Sequence, residues 1–151
     1  MTQPTWYFED FEVGKTIEVG TRTVTEEEII AFAKQFDPQP FHVDPDAAAT
    51  SMYGGIIASG WHTCAMMMGL MVSRFLNKTA SLGSPGVDEV RWLKPVRGGD
   101  TLTVTTTAIE VRPSTSKTDR GVVVTKWQAT NQRGELVATV QGMGMFLRRP
   151  N

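Results

Sequence analysis

Cysteine is almost missing from this chain: Cys64 stands alone among 151 residues. A lone thiol forms no intramolecular disulfide, and no Cys-x-x-Cys spacing offers a metal or dithiol site. A reducing cytoplasm is therefore the expected compartment. Surplus charge is missing as well. Fifteen Lys and Arg stand against 16 Asp and Glu, a net charge of -1. No broad basic field draws nucleic acid or an anionic membrane, so neither is an expected partner. The opening residues, MTQPTWYFEDFEVGK, have no basic segment followed by an apolar one and do not read as a secretory signal. An unbroken apolar run is also lacking, since Ile56 to Leu76 is interrupted by Ser59, His62 and Arg74 and has no basic clusters beside it. A core helix of a water-soluble domain fits this stretch better than a membrane span. No repeat, low-complexity tract or linker divides the chain, so residues 1–151 are expected to form one domain behind an irregular lead-in, 1–14.

The lead-in offers Trp6, Tyr7, Phe8 and Phe11 for packing on a body. From Thr16 a β-branched, alternating run predicts a strand over about 16–24. Thr25 followed by Glu28 is a capping box, and Ile29, Ile30, Phe32, Ala33 and Phe36 supply the apolar face of a helix over 26–36. Asp37-Pro38-Gln39-Pro40 ends it, because proline removes a donor and disfavours helix in the residue before it. Pro45 to Ala49 predicts a short helix with proline in its first turn and Asp44 as its cap. An apolar helix follows over 59–77, with Trp61, Cys64, Ala65, Met68, Val72 and Phe75 at helical spacing. Met66, Met67, Leu70 and Met71 widen that stripe, so this helix is expected to be almost wholly buried. The second half is β-rich in four segments, 86–96, 100–112, 121–131 and 135–147, with turns at 97–100 and 131–134. One strand, helices, then long antiparallel strands describe an α+β domain, a bent sheet of about five strands curled around the apolar helix. One sheet covers one side of that helix, and a partner chain would cover the rest.

The stretch Asp37-Pro38-Gln39-Pro40-Phe41-His42 places one of two histidines five residues after an acid. Fully extended, five residues would separate the two side chains by roughly 17 Å. A helix would point them in different directions. Only a curled, stiff loop brings them together, and the prolines at 38 and 40 argue against regular helix there. A carboxylate beside an imidazole can share the movement of protons at one water or one carbon. Read from spacing alone, the same pattern also suits a helix-end or turn acid and a surface or core histidine, so spacing decides little.

Asp37-Pro-Gln-Pro-Phe-His42, with Asp44 and Ala47-Ala48-Ala49, resembles the signature of the MaoC-like family, which includes the (R)-specific enoyl-CoA hydratases. Gly55-Ile56-Ile57-Ala58-Ser59-Gly60 is similar to the family's entry into its central helix, and Val90 to Asp100 to its strand and tight turn. The three segments occur in the family's order. The resemblance implies a hotdog fold, in which a long helix is wrapped by a bent antiparallel sheet, and commonly a homodimer or a larger assembly of dimers. It implies hydration of a 2-enoyl thioester to an (R)-3-hydroxyacyl thioester, with Asp37 and His42 activating water. The partner it implies is an acyl-CoA or acyl-carrier thioester, with CoA arriving as part of the substrate and no separate cofactor or metal. Gln39, Phe41 and Ser59 stand where many of these hydratases carry Asn, Leu and His, so the acyl group is not carried over.

A developing negative charge on the thioester oxygen needs fixed donors, and the backbone N–H of Gly60 opens the apolar helix where such donors are free. Ser59 reads as the cap of that helix, and Ser59 and Trp61 are candidates for substrate contact. Trp61, Met66, Met67, Met68 and Met71 either line an acyl tunnel or pack the core. His62 reads as a core or interface histidine with a local hydrogen bond. Arg91, Lys94 and Arg97 either meet CoA phosphates or form a solvated edge. Two other functions stay open, a hotdog thioesterase and a non-catalytic acyl-thioester binding protein, because fold does not fix reaction.

Overall fold

The computed structural model describes residues 2–151. Strand β1 runs over Thr16–Thr23. Thr25 then accepts from the Glu28 N–H while the Glu28 carboxylate accepts from the Thr25 N–H, and this box starts α1, Glu26–Phe36. A one-turn helix, α2, Pro40–Val43, follows where the two prolines argued for loop. Pro40 occupies the first helical position, where its missing N–H has no partner to lose. Helix α3, Pro45–Ala49, is capped by Asp44, whose Oδ1 accepts from the N–H groups of Asp46 and Ala47.

The long helix α4 spans Gly60–Arg74, shorter than its apolar run. Phe75 leaves helical geometry at φ -135, ψ -61, and a 3-10 turn, Leu76–Lys78, carries the chain onward. His62, Thr63, Met66, Met67, Leu70 and Met71 are buried. The expectation of nearly complete burial is corrected, since Trp61 is 59% and Met68 46% exposed. A single curled sheet has only one concave side, and the described chain leaves these two residues partly uncovered.

The sheet has six antiparallel strands and is open, in the order β1-β4-β5-β6-β2, with β3 also on β6. Its long members are β4, Thr101–Pro113, β5, Arg120–Thr130, and β6, Leu136–Leu147. Strand β2, Ser81–Gly83, is too short to stand out in sequence. Strand β3 covers only Val87–Trp92, because Leu93 and Lys94 both turn their N–H groups to the Val137 carbonyl and pairing ends there. β2 and β3 thus lie end to end along β6, pairing with 145–146 and 138–142 respectively. Register shifts at Glu18/Gly20 and Ala108/Glu110 mark bulges, which bend the strands around α4.

β4 alternates buried and half-buried residues over its first eight positions, the period expected of a sheet with one face inward. Leu102 and Val104 from β4, with Val137 and Ala138 from β6, meet Met67 and Met71 of α4 in the core. Each fully buried aliphatic side chain of this kind contributes about 1.5–3 kcal/mol. The lead-in packs as its aromatic content suggested: Tyr7 and Phe8 are buried, and Trp6 meets Phe11 and Phe75 edge-on. Between β3 and β4, Gly98 presses against the start of α1, where an added Cβ would fall 2.8 Å from the Glu26 backbone nitrogen. Gly99 takes φ +91, so this turn needs its pair of glycines.

Candidate active site

Three stretches meet at the N-terminal end of α4. Asp37 closes α1, donating its N–H to the Ala33 carbonyl at 2.8 Å. The chain then curls, with Gln39 N–H on the Asp37 carbonyl and His42 N–H on the Gln39 carbonyl, both at 2.9 Å. The segment leading into α4 is clamped from two sides. Ile57 N–H donates to the Phe41 carbonyl, and Ala58 N–H to the Val96 carbonyl.

His42 is buried, at 5% exposure. Its Nδ1 lies 2.6 Å from the Ile57 carbonyl. A carbonyl only accepts, so Nδ1 carries the proton and Nε2 of the neutral ring is left as the basic nitrogen. That Nε2 faces Asp37 Oδ2 at 3.2 Å. The other carboxylate oxygen accepts from the Gln39 amide at 2.8 Å. Burial works to raise the Asp37 pKa. The Gln39 amide, the Ser59 hydroxyl and the neighbouring His42 outweigh it and hold the carboxyl below its ordinary value. With the ring in its neutral form, a carboxylate oxygen and an imidazole lone pair thus converge on one point, and both are acceptors. A water there donates both protons and leaves its own lone pair free.

Ser59 is fully buried at the start of α4, where its Oγ accepts from the Trp61 N–H at 3.3 Å. It is the cap of the helix and also one of the groups that lower the Asp37 pKa. Gly60 holds the first helical position, and its N–H has no hydrogen-bond partner among the described residues. Asp37, His42, Gly60 and Trp61 line one pocket of about 510 Å³. The four come together; Ser59 lies in the wall behind them.

Other residues of the site had no role legible in the sequence, although Gln39 and Trp92 lie within its family-like segments. Gln39 and the Ile57 carbonyl are set only by the curl of the chain. Trp92, from the end of β3, covers Gly60 so closely that a Cβ at position 60 would come 2.3 Å from its ring. The group that requires glycine there is thus an indole of the same chain.

Of the five α4 residues considered for a tunnel, Met66 and Met67 pack in the core. Trp61, Met68 and Met71 line a second, apolar cavity of about 340 Å³ between α4 and the sheet. His62 stacks on Phe32 with ring centroids 4.6 Å apart, and its Nδ1 has no hydrogen-bond partner among the described residues. The expected local bond is absent at that nitrogen because an aromatic face and helix neighbours surround it. Of the basic residues, Lys94 lines the pocket and pairs with Glu135, Arg91 pairs with Glu89, and Arg97 donates to the Tyr53 carbonyl.

A long helix in the grip of a bent antiparallel sheet defines a hotdog protein, and known proteins share the architecture. The family described as MaoC like domain matches residues 10–131. A MaoC-like dehydratase of Rhodospirillum rubrum has a TM-score of 0.88 and 41% identity, covering 96% of this chain and 99% of its own. An (R)-specific enoyl-CoA hydratase of the same species is 30% identical over 136 residues, 82% of this chain and 89% of that protein. The R-hydratase PhaJ1 of Pseudomonas aeruginosa reaches a TM-score of 0.75 at 26% identity, covering 95% of this chain and 86% of its own. The chain belongs to the MaoC-like family.

Proposed function

We propose that this protein is a hydro-lyase that reversibly adds water to a 2-enoyl thioester, giving the (R)-3-hydroxyacyl thioester. The observation that carries the reading is the 3.2 Å approach of His42 Nε2 to Asp37 Oδ2, with the histidine proton held on the far nitrogen by Ile57. Relatives named as hydratases and dehydratases support it. The water oriented by the two acceptors attacks the β-carbon through its free lone pair. As the C–O bond forms, one water proton passes to His42 Nε2, and Asp37 stabilises the imidazolium. The π electrons move toward the thioester carbonyl, and the Gly60 N–H with the α4 dipole meets the charge gathering on that oxygen. The imidazolium then returns the proton to the α-carbon, so one water is added and the site is restored. No metal or separate cofactor takes part in this scheme; CoA or a carrier belongs to the substrate.

A homodimer completes the reading. The outer edge of β3 pairs with no strand among the described residues. Val87, Trp92 and Leu93 lie exposed beside Trp61 and Met68 of α4. An unpaired strand next to an apolar strip is suited to a second copy of the same surface.

The test is the loss of enoyl-thioester absorbance when the protein meets crotonyl-CoA, with free thiol followed in parallel. Hydration consumes the double bond and releases no thiol, whereas a thioesterase releases thiol. Asp37→Asn and His42→Ala should each lower turnover by roughly 10²-fold or more with the fold retained. Wild-type rates in both variants would remove the mechanism.

A further inference from the structure

The mechanism uses Gly60 but leaves three neighbours, Trp61, Trp92 and Cys64, without a role. Trp61 is the one residue that lines both the reaction pocket and the apolar cavity. Its indole meets that of Trp92 edge to face, with centroids 5.2 Å apart at 80°. Trp92 rests on Gly60, one turn before Cys64, itself part of the cavity wall. Two indoles and a thiol therefore form a partition. On one side are the groups that act on the double bond; on the other is an apolar space of about 340 Å³ with no charged side chain in its lining.

An apolar void forfeits the dispersion contacts of its walls, at a cost that grows with its volume. An aliphatic tail that fills it recovers them. A tail ending in a carboxylate would be stripped of water with no partner to receive it. The partition has one movable part. Trp61 stands outside the core cluster, so its ring can turn without unpacking the core, while Trp92 rests on Gly60.

We propose that Trp61 is an acyl-length gate: its indole closes the way from the reaction pocket to the cavity, and a long aliphatic tail enters by turning it aside. The inference rests on the acyl-thioester reading above. It makes short enoyl groups the unhindered substrates, and it makes longer unbranched ones, without a distal charge, substrates that displace the ring.

The quantity to measure is kcat/KM for trans-2-dodecenoyl-CoA divided by that for crotonyl-CoA. Trp61→Ala should raise this ratio about tenfold or more, within the range that pocket contacts discriminate between homologous chains. Trp61→Phe, a smaller ring that still closes part of the passage, should raise it less and serves if the alanine variant fails to fold. An unchanged ratio in a folded variant overturns the gate. The single thiol gives a readout that needs no turnover. Dodecanoyl-CoA, which has no double bond to hydrate, should slow alkylation of Cys64 by N-ethylmaleimide several-fold more in Trp61→Ala than in wild type. Acetyl-CoA should slow neither. Protection without hydration of any enoyl thioester would sink the hydratase and leave the gate. Hydration with neither protection nor a changed ratio would sink the gate and leave the hydratase.

Discussion

Replacing Ser59 by alanine separates two duties that one hydroxyl performs. The side chain is fully buried, its Oγ caps α4 by accepting from the Trp61 N–H at 3.3 Å, and it helps hold the Asp37 carboxyl below its ordinary pKa. Loss of an N-cap side chain costs about 1 kcal/mol. In a chain of this length such a loss lowers Tm by about 2–4 °C. The second effect concerns charge. Without the Ser59 hydroxyl, burial is opposed only by Gln39 and His42, so the Asp37 pKa rises. The acidic limb of the kcat/KM profile, which reports the free enzyme's acid and base, then moves to higher pH. Stability follows the same sign. A carboxyl with a depressed folded pKa stabilises the fold above its unfolded value, and that contribution is lost as pH falls through the folded one. The charge-related part of the Ser59→Ala deficit should therefore be present at neutral pH and fade in acid. Asp44→Ala is the control, since Asp44 caps α3 in the same manner from an exposed position. Both variants should melt a few degrees lower, followed by thermal unfolding. Only Ser59→Ala should move the acidic limb, followed by pH-resolved kinetics on crotonyl-CoA. A limb that stays in place, or moves to lower pH, refutes the argument that Ser59 sustains the charge on Asp37.

His62 makes a second pH-dependent contribution, of opposite kind. Burial and the nearby Arg22 lower its pKa, while Glu28 works the other way. Below about pH 6.5 the unfolded chain binds the proton that the folded ring resists, so stability falls as pH drops through that value. His62→Phe keeps an aromatic ring against Phe32 and should flatten this slope in denaturant titrations; an unchanged slope would show that another group sets it. For the assembly, sedimentation at micromolar concentration should give twice the mass of one chain. A single-chain mass would leave the β3 edge and the exposed face of α4 without the partner assigned to them.

Local rules made much of the fold readable. The capping box at Thr25 and Glu28, the Asp44 and Ser59 caps and the glycine pair at 98–99 each depend on residues a few positions apart. Helix α4 is legible from its period but not from its burial, because amphipathic spacing says which residues are apolar and not how many layers surround them. Helix α2 escapes because proline, a breaker in the middle of a helix, is well suited to the first position. Strand β2 escapes because three residues carry no period.

At the site the division is the same. Sequence by itself determined the chemical repertoire: an acid and an imidazole on one proline-rich curl, a glycine at a helix start, and a lone thiol on an apolar stripe. The tertiary structure decided what those groups do to one another. The Ile57 carbonyl, 15 residues from His42, settles which ring nitrogen is basic. Ser59, from the start of α4, helps hold the charge on Asp37 at the end of α1, and Trp92 crosses from β3 to lie on Gly60. Protonation state and pocket shape are set by contacts across elements distant in the chain, and no local pattern encodes a distance between residues that meet only when the sheet has closed around the helix.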